Sequence, residues 1–214
     1  MKKIMFNDRY GLTEAVLSGH KTQTRRIITC PKKFKGEYVA GFYVYKRQSD
    51  NAIIQWPCMY DADERTFDGG EILPKYNVGE VVAIAQSCKD CGYGECAPIV
   101  SLDENGIATF GSDAGSYNKM FVKADLMPHR IRITDVRVER LQDISDEDCI
   151  KEGILHSDKY AMPYGIADSK TPNGVFFYFA TPREAYAVLI DRISGKGTWD
   201  SNPFVFVYDF ELVK

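Results

Sequence analysis

The last ten or so residues alternate without interruption: Phe204, Phe206, Tyr208, Phe210 and Leu212 fall on one side, Val205, Val207, Asp209 and Glu211 on the other. A period of two predicts a strand with its aromatic face packed inward. Ile131 to Leu141 alternates as well, but its phase changes between Ile133 and Val136, which predicts a bulge or bend near Thr134-Asp135. Val81 to Ala85 is a continuous apolar run behind the turn signal Asn77-Val78-Gly79, as expected of a strand buried on both faces. Residues 37 to 47 and 51 to 59, rich in Tyr, Phe, Val and Ile, flank Asp50-Asn51 and read as a hairpin.

Helical spacing occupies shorter stretches. Arg9 to Ser18 follows the candidate caps Asn7 and Asp8, puts Leu12, Ala15 and Val16 on one face, and ends at Gly19. Ser145 to Glu152 has Ser145 and Asp148 in capping-box spacing and Gly153 after its end. From Pro182 to Ile193, the residues Thr181, Pro182 and Glu184 supply a cap, a first-turn proline and a box partner. Strands outnumber helices, and helices occur singly between them, so the expected class is α+β, mostly β, rather than a doubly wound sheet. Residues 87–118 and 155–180, with many Gly, Ser, Asp and Asn, read as long loop insertions in a single domain covering residues 1–214.

A hydrophobic share of 44% and a charged share of 27% are ordinary for a globular chain and argue against extensive disorder. Met1-Lys2-Lys3 leads into Asn7, Asp8 and Arg9 rather than into an apolar signal core, and no apolar run approaches a membrane span, so a cytoplasmic protein is expected. The six cysteines then read as reduced thiols. Cys88-x2-Cys91-x4-Cys96 is a weak zinc candidate. Only one pair has knuckle spacing and the fourth ligand, Cys58 or a histidine, is undetermined, so no metal and no other cofactor is assigned. The glycines at Gly69-Gly70 and Gly92-x-Gly94 lack the flanking elements and lysine of a phosphate loop, which argues against nucleotide hydrolysis. The net charge of −3 hides an asymmetry: residues 1–47 hold eleven Lys or Arg against three acids. Such a block fits a surface that meets phosphates, and equally a solvated basic face.

The densest polar segment is Gly19-His20-Lys21-Thr22-Gln23-Thr24-Arg25-Arg26, at the corner between the first helix and Ile27-Ile28. It resembles the ASCH signature, G-x-K-x-x-E-x-R, with Gly19, Lys21 and Arg26 in place and Thr24 where many members carry glutamate. Threonine there is similar to the branch of the family containing bacterial amidohydrolases that act on N4-acetylcytidine. In that branch a lysine and a threonine of this motif work with a later glutamate at the end of a short helix, a position matched by Glu152. Trp199, Asn202, Pro203 and the strand from Phe204 to Phe210 resemble the closing turn and strand of phage and prophage ASCH-like proteins. The likeness touches both ends and the centre, roughly half of the chain. It implies a PUA-like β pseudo-barrel with short peripheral helices, and a cleft for a nucleoside or RNA-related ligand.

The residue types support chemistry at that cleft on their own terms. A threonine hydroxyl becomes a nucleophile when a base takes its proton, and a lysine serves as that base when burial or nearby cations lower its pKa. Arg25 and Arg26 supply such cations. A glutamate in the last turn of a helix faces the negative end of the dipole, which suits a general acid that protonates a leaving amine. With the resemblance, the expected catalytic set is Lys21, Thr24 and Glu152, with Gly19, Arg25, Arg26 and Arg132 as ligand contacts, Arg26 either orienting the base or stabilising the oxyanion. His20 reads as an exposed neighbour. A second class stays open, a noncatalytic module for RNA or a modified base, in which Arg130, Arg132, Arg137 and Arg140 meet phosphates while aromatics stack on bases. No sequence feature identifies a protein partner.

Overall fold

The computed structural model describes residues 1–49, 52–91, 99–102, 104–105, 108–110, 118–170 and 174–213. Its centre is a five-stranded mixed sheet in the order Lys3–Ile4, Val81–Ile84, Arg130–Arg140, Phe204–Val213, Gln23–Ile27. The first pair is parallel and the remaining neighbours are antiparallel. The architecture is thus α+β and mostly β.

The change of phase in the central strand is a bulge. Ile133 pairs with Phe210 and Asp135 with Asp209, so Thr134 is the extra residue. One additional residue flips the alternation, which keeps Val136 and Val138 on the face that Ile131 and Ile133 occupy, opposite Tyr208 and Phe206. The C-terminal strand departs from a one-sided pattern. Val205 and Val207 are as inaccessible as Tyr208, because the core that holds the aromatic face also continues on the other side through Cys149, Tyr186 and Leu189 of two helices. Val82, Ala83 and Ile84 are fully buried, as a continuous apolar run predicts.

The first helix is shorter than its pattern, Leu12–Leu17, and starts from Gly11 at φ 63 without a side-chain cap. Asn7 and Asp8 build a preceding turn instead, in which Asn7 Oδ1 accepts from Arg9 N and the Asn7 carbonyl from Leu12 N. The helix Asp146–Lys151 is capped by the Ser145 hydroxyl, which accepts from Asp148 N, and Glu152 closes it. Gly153 follows at φ 103, where a Cβ would stand 3.0 Å from Leu12 Cδ2, so both backbone conformation and space require glycine. The helix Pro182–Ser194 carries the complete capping box between Thr181 and Glu184.

Smaller sheets surround this centre. Gly41–Ser49 pairs with Ala52–Tyr60, Ser49 lying opposite Ala52, and Thr66–Glu71 joins as a third strand; the turn expected at Asp50-Asn51 lies outside the described residues. Glu37–Tyr38 belongs to a separate pair with Lys33–Phe34. The stretch 155–180 is more ordered than a loop insertion, since Leu155–His156, Tyr164–Ala167 and Val175–Phe179 form a three-stranded sheet. Within 87–118, Ile99–Leu102 pairs with Ala108–Phe110, while residues 92–98 and 111–117 lie outside the described set. No helix among the described residues is long and apolar enough to cross a membrane.

Candidate functional site

The corner before the edge strand is clamped by the ends of two helices. Lys21 N donates to the Ala15 carbonyl at 2.8 Å, and Thr22 N to the Lys151 carbonyl at 3.0 Å. Helix C-termini carry partial negative charge and unpaired carbonyls, so a cation placed there is favoured. Lys21 fills that role, although its side chain is only 1% exposed. Its Nζ donates to Gln23 O at 2.7 Å, Glu152 O at 2.8 Å and Glu152 Oε2 at 2.6 Å, which uses all three N–H groups of an ammonium. Burial pushes the Lys21 pKa below its ordinary value, against the opposing pull of Glu152.

The second Glu152 oxygen accepts from Arg25 Nη1 at 3.3 Å. Arg25 also reaches Glu139 through Nε at 3.1 Å and Nη2 at 2.5 Å, Asp148 at 3.1 Å, and the Gln23 side-chain oxygen. Burial alone would lower the Arg25 pKa; Glu152, with further help from Tyr186 and Glu139, holds it above its ordinary value. Gln23 Nε2 donates to Asp209 at 2.6 Å, and Arg137 bridges Asp209, Asp148 and Glu139. A closed polar network therefore joins the edge strand, the central strand, the C-terminal strand and the short helix. Charges at this depth are tolerated because they are paired and hydrogen-bonded.

Thr24 and Arg26 alternate with Gln23 and Arg25 along the strand, which turns them to its other face. Because this strand is the edge of the sheet, residues from both faces reach one cavity of about 270 Å³. Lys21, Thr24, Arg25, Arg26 and Glu152 all line it. Phe6 on one side, and Leu189, Ile190 and Ile193 on the long helix, supply an apolar wall. Lys21 Nζ and the Arg26 guanidinium each lie 5.8 Å from the centre of the Phe6 ring. The Thr24 hydroxyl has no hydrogen-bond partner among the described residues, and Arg26 makes one hydrogen bond, to Met5 O at 2.5 Å.

The corner at residues 21–26 and the distant Glu152 thus share one pocket. Two of the expected ligand contacts do not line it. Gly19 ends the first helix at φ 76, where it serves the turn. Arg132 is exposed on the central strand and faces Glu211 across the ladder at 3.6 Å, the solvated pairing that an alternating strand gives its outer positions. Arg25 reaches the cavity, but its donors are directed to Glu139, Asp148, Glu152 and the Gln23 side-chain oxygen. Of the weak zinc candidates, Cys88 is buried, Cys91 is half-buried, burial pushes both thiols up, and Cys96 lies outside the described residues. No three His, Cys, Asp or Glu side chains among the described residues converge as a metal site.

Several contributors gave no sign of their role in the sequence. Phe6 and Tyr186 look like ordinary core positions, and Tyr186 is buried with its pKa raised well above the usual value by loss of solvent. Glu139 and Asp209 sit on alternating strands as polar residues; only the register, Arg25 beside Val207 and Val207 beside Arg137, brings them together. Comparison with protein-family models, curated proteins and solved structures gives no match to this chain.

Proposed function

We propose that the cavity binds a nucleoside-sized ligand and hydrolyses an N-acyl group on its base, with N4-acetylcytidine as the type of substrate, in an ASCH-like domain. The observation that carries the reading is the unbonded Thr24 hydroxyl in the same cavity as a buried Lys21–Glu152 pair at 2.6 Å. The resemblance of the corner motif supports the family and a PUA-like pseudo-barrel around the five-stranded sheet.

The chemistry runs as a proton relay. Lys21 passes a proton to Glu152 along their 2.6 Å contact, and the resulting amine rotates about its Cε–Nζ bond, exchanging one carbonyl hydrogen bond, to turn its lone pair toward Thr24. Thr24 Oγ1 attacks the acyl carbon and gives its proton to Lys21. Arg26, on the wall shared with the neighbouring cavity, orients the ligand. The protonated Glu152 transfers its proton to the exocyclic nitrogen as the C–N bond breaks. Water then attacks the acyl-threonine and gives a proton to Glu152; the carboxylic acid leaves as Thr24 Oγ1 takes its proton back from the Lys21 ammonium, and Glu152 returns a proton to Lys21, which restores the resting pair.

A noncatalytic module that binds the same kind of ligand is favoured by one observation: Lys21 already has an acceptor for every N–H. Incubation with N4-acetylcytidine, followed by chromatography, separates the two readings. Release of cytidine and acetate that disappears in Thr24→Val supports hydrolysis. Saturable binding without turnover establishes the noncatalytic module, and absence of both removes this substrate class.

A further inference from the structure

A second cavity, of about 360 Å³, adjoins the first through Met5, Arg26 and Ile27, which line both. Its charge is one-sided: Arg26 and Lys75 line it, and no Asp or Glu does. Much of the remaining wall is aromatic, from Tyr76, Phe206 and Tyr208. The two tyrosine hydroxyls are already committed, since Tyr76 donates to Lys3 O at 2.9 Å and Tyr208 accepts from Lys75 N at 3.0 Å.

The two neighbouring arginines differ sharply. Arg25 is held by Glu139, Asp148 and Glu152. Arg26 is half-buried with one hydrogen bond, to a main-chain carbonyl, and no carboxylate within ion-pair distance among the described residues. Lys75 has no acidic partner among them either; its ammonium stands 5.4 Å from the centre of the Tyr76 ring. A half-buried cation such as Arg26 against low-dielectric walls attracts anions more strongly than the same charge in open solvent, and the exposed Lys75 adds a second positive charge at the cavity rim. A guanidinium with free N–H groups also fits the oxygens of a phosphate in a fork.

We infer that the second cavity is an anion subsite, and that the ligand spans both cavities as a nucleoside 5′-phosphate, its phosphate held by Arg26 and Lys75 and its base beside Thr24. The base half rests on the function proposed above; the anion half rests on the charges of the second cavity alone.

Titration calorimetry at low salt tests it, with cytidine, cytidine 5′-monophosphate and inorganic pyrophosphate added to the wild type and to Lys75→Ala, an exposed position where circular dichroism checks the fold. The expected result is nucleotide binding at least about 10-fold tighter than nucleoside binding, with that preference shrinking in Lys75→Ala and in rising salt. Equal affinities, or a preference unchanged in Lys75→Ala, overturn the proposal. If neither cytosine compound binds, the base assignment of the first cavity fails, and pyrophosphate alone decides the anion subsite. Saturable binding weakened by Lys75→Ala upholds it, and no binding overturns it.

Discussion

Glu152 holds the Lys21 ammonium twice, through its carboxylate at 2.6 Å and through its main-chain carbonyl at 2.8 Å, across 131 residues of sequence. The side chain supplies the counter-charge and the main chain supplies the helix end. Both side chains are buried, so their charges are balanced by partners within the protein.

Removing Glu152 leaves Lys21 buried without a carboxylate, which costs about 3–5 kcal/mol in comparable pairs, and removing Lys21 leaves Glu152 only its longer contact with Arg25 at 3.3 Å. Lys21→Met and Glu152→Gln are each expected to lower the unfolding free energy from urea titration, Glu152→Gln by that order. The double variant should lose less than the two single losses added together, because the pair couples directly. Additive losses would mean that the two side chains act independently.

The Thr24 hydroxyl makes no hydrogen bond among the described residues, so Thr24→Val is expected to leave stability within about 1 kcal/mol of wild type. Turnover of N4-acetylcytidine should fall at least about 10³-fold, as for loss of a nucleophile, and Thr24→Ser should retain measurable activity. A Thr24→Val protein that still turns over would exclude the acyl-threonine route.

The pH dependence has a defined sign on the alkaline side. Burial pushes the Tyr76 phenol from 10.0 up to about 12 and the Cys149 thiol from 9.0 up to about 12. Both groups stay neutral in the folded protein where the unfolded chain ionises them, so they add stability below pH 9 that is lost as pH rises toward 12. Lys21, whose pKa is lowered by burial, works the other way over the range below 10.5, since the unfolded chain binds its proton more tightly. Denaturant midpoints from pH 8 to 11, repeated in Cys149→Ala, measure the balance. The variant should show the shallower alkaline decline.

The active pair carries one shared proton, so activity should hold while Lys21 and Glu152 keep it and decline on the alkaline side, with an apparent pKa below the ordinary lysine value of 10.5, as the pair loses it to solvent. A kcat/KM profile of N4-acetylcytidine hydrolysis reads this directly. A flat profile through that range would remove Lys21 from the proton relay.

The helix that builds one cavity wall starts at the Thr181–Glu184 box. Thr181→Ala is expected to cost about 1 kcal/mol in urea unfolding. KM should respond more than kcat, because Leu189 and Ile190 shape the pocket without meeting the reacting atoms.

The sequence by itself determined elements whose signal is local. The alternation of residues 204–212, the phase change at Thr134 and the caps at Ser145 and Thr181 each reflect one pleat, one extra residue or one unpaired N–H, and each has the expected structural counterpart. Only the tertiary structure decided what the charged residues do. Lys21, Arg25 and Arg26 are close together and all cationic in the chain, yet one closes a helix end, one is locked among three carboxylates and one faces two cavities with no acidic partner among the described residues. Strand alternation and edge position separate them, and the acids that settle their roles arrive from residues more than a hundred positions away. Long-range register, rather than local propensity, assigns the charge partners.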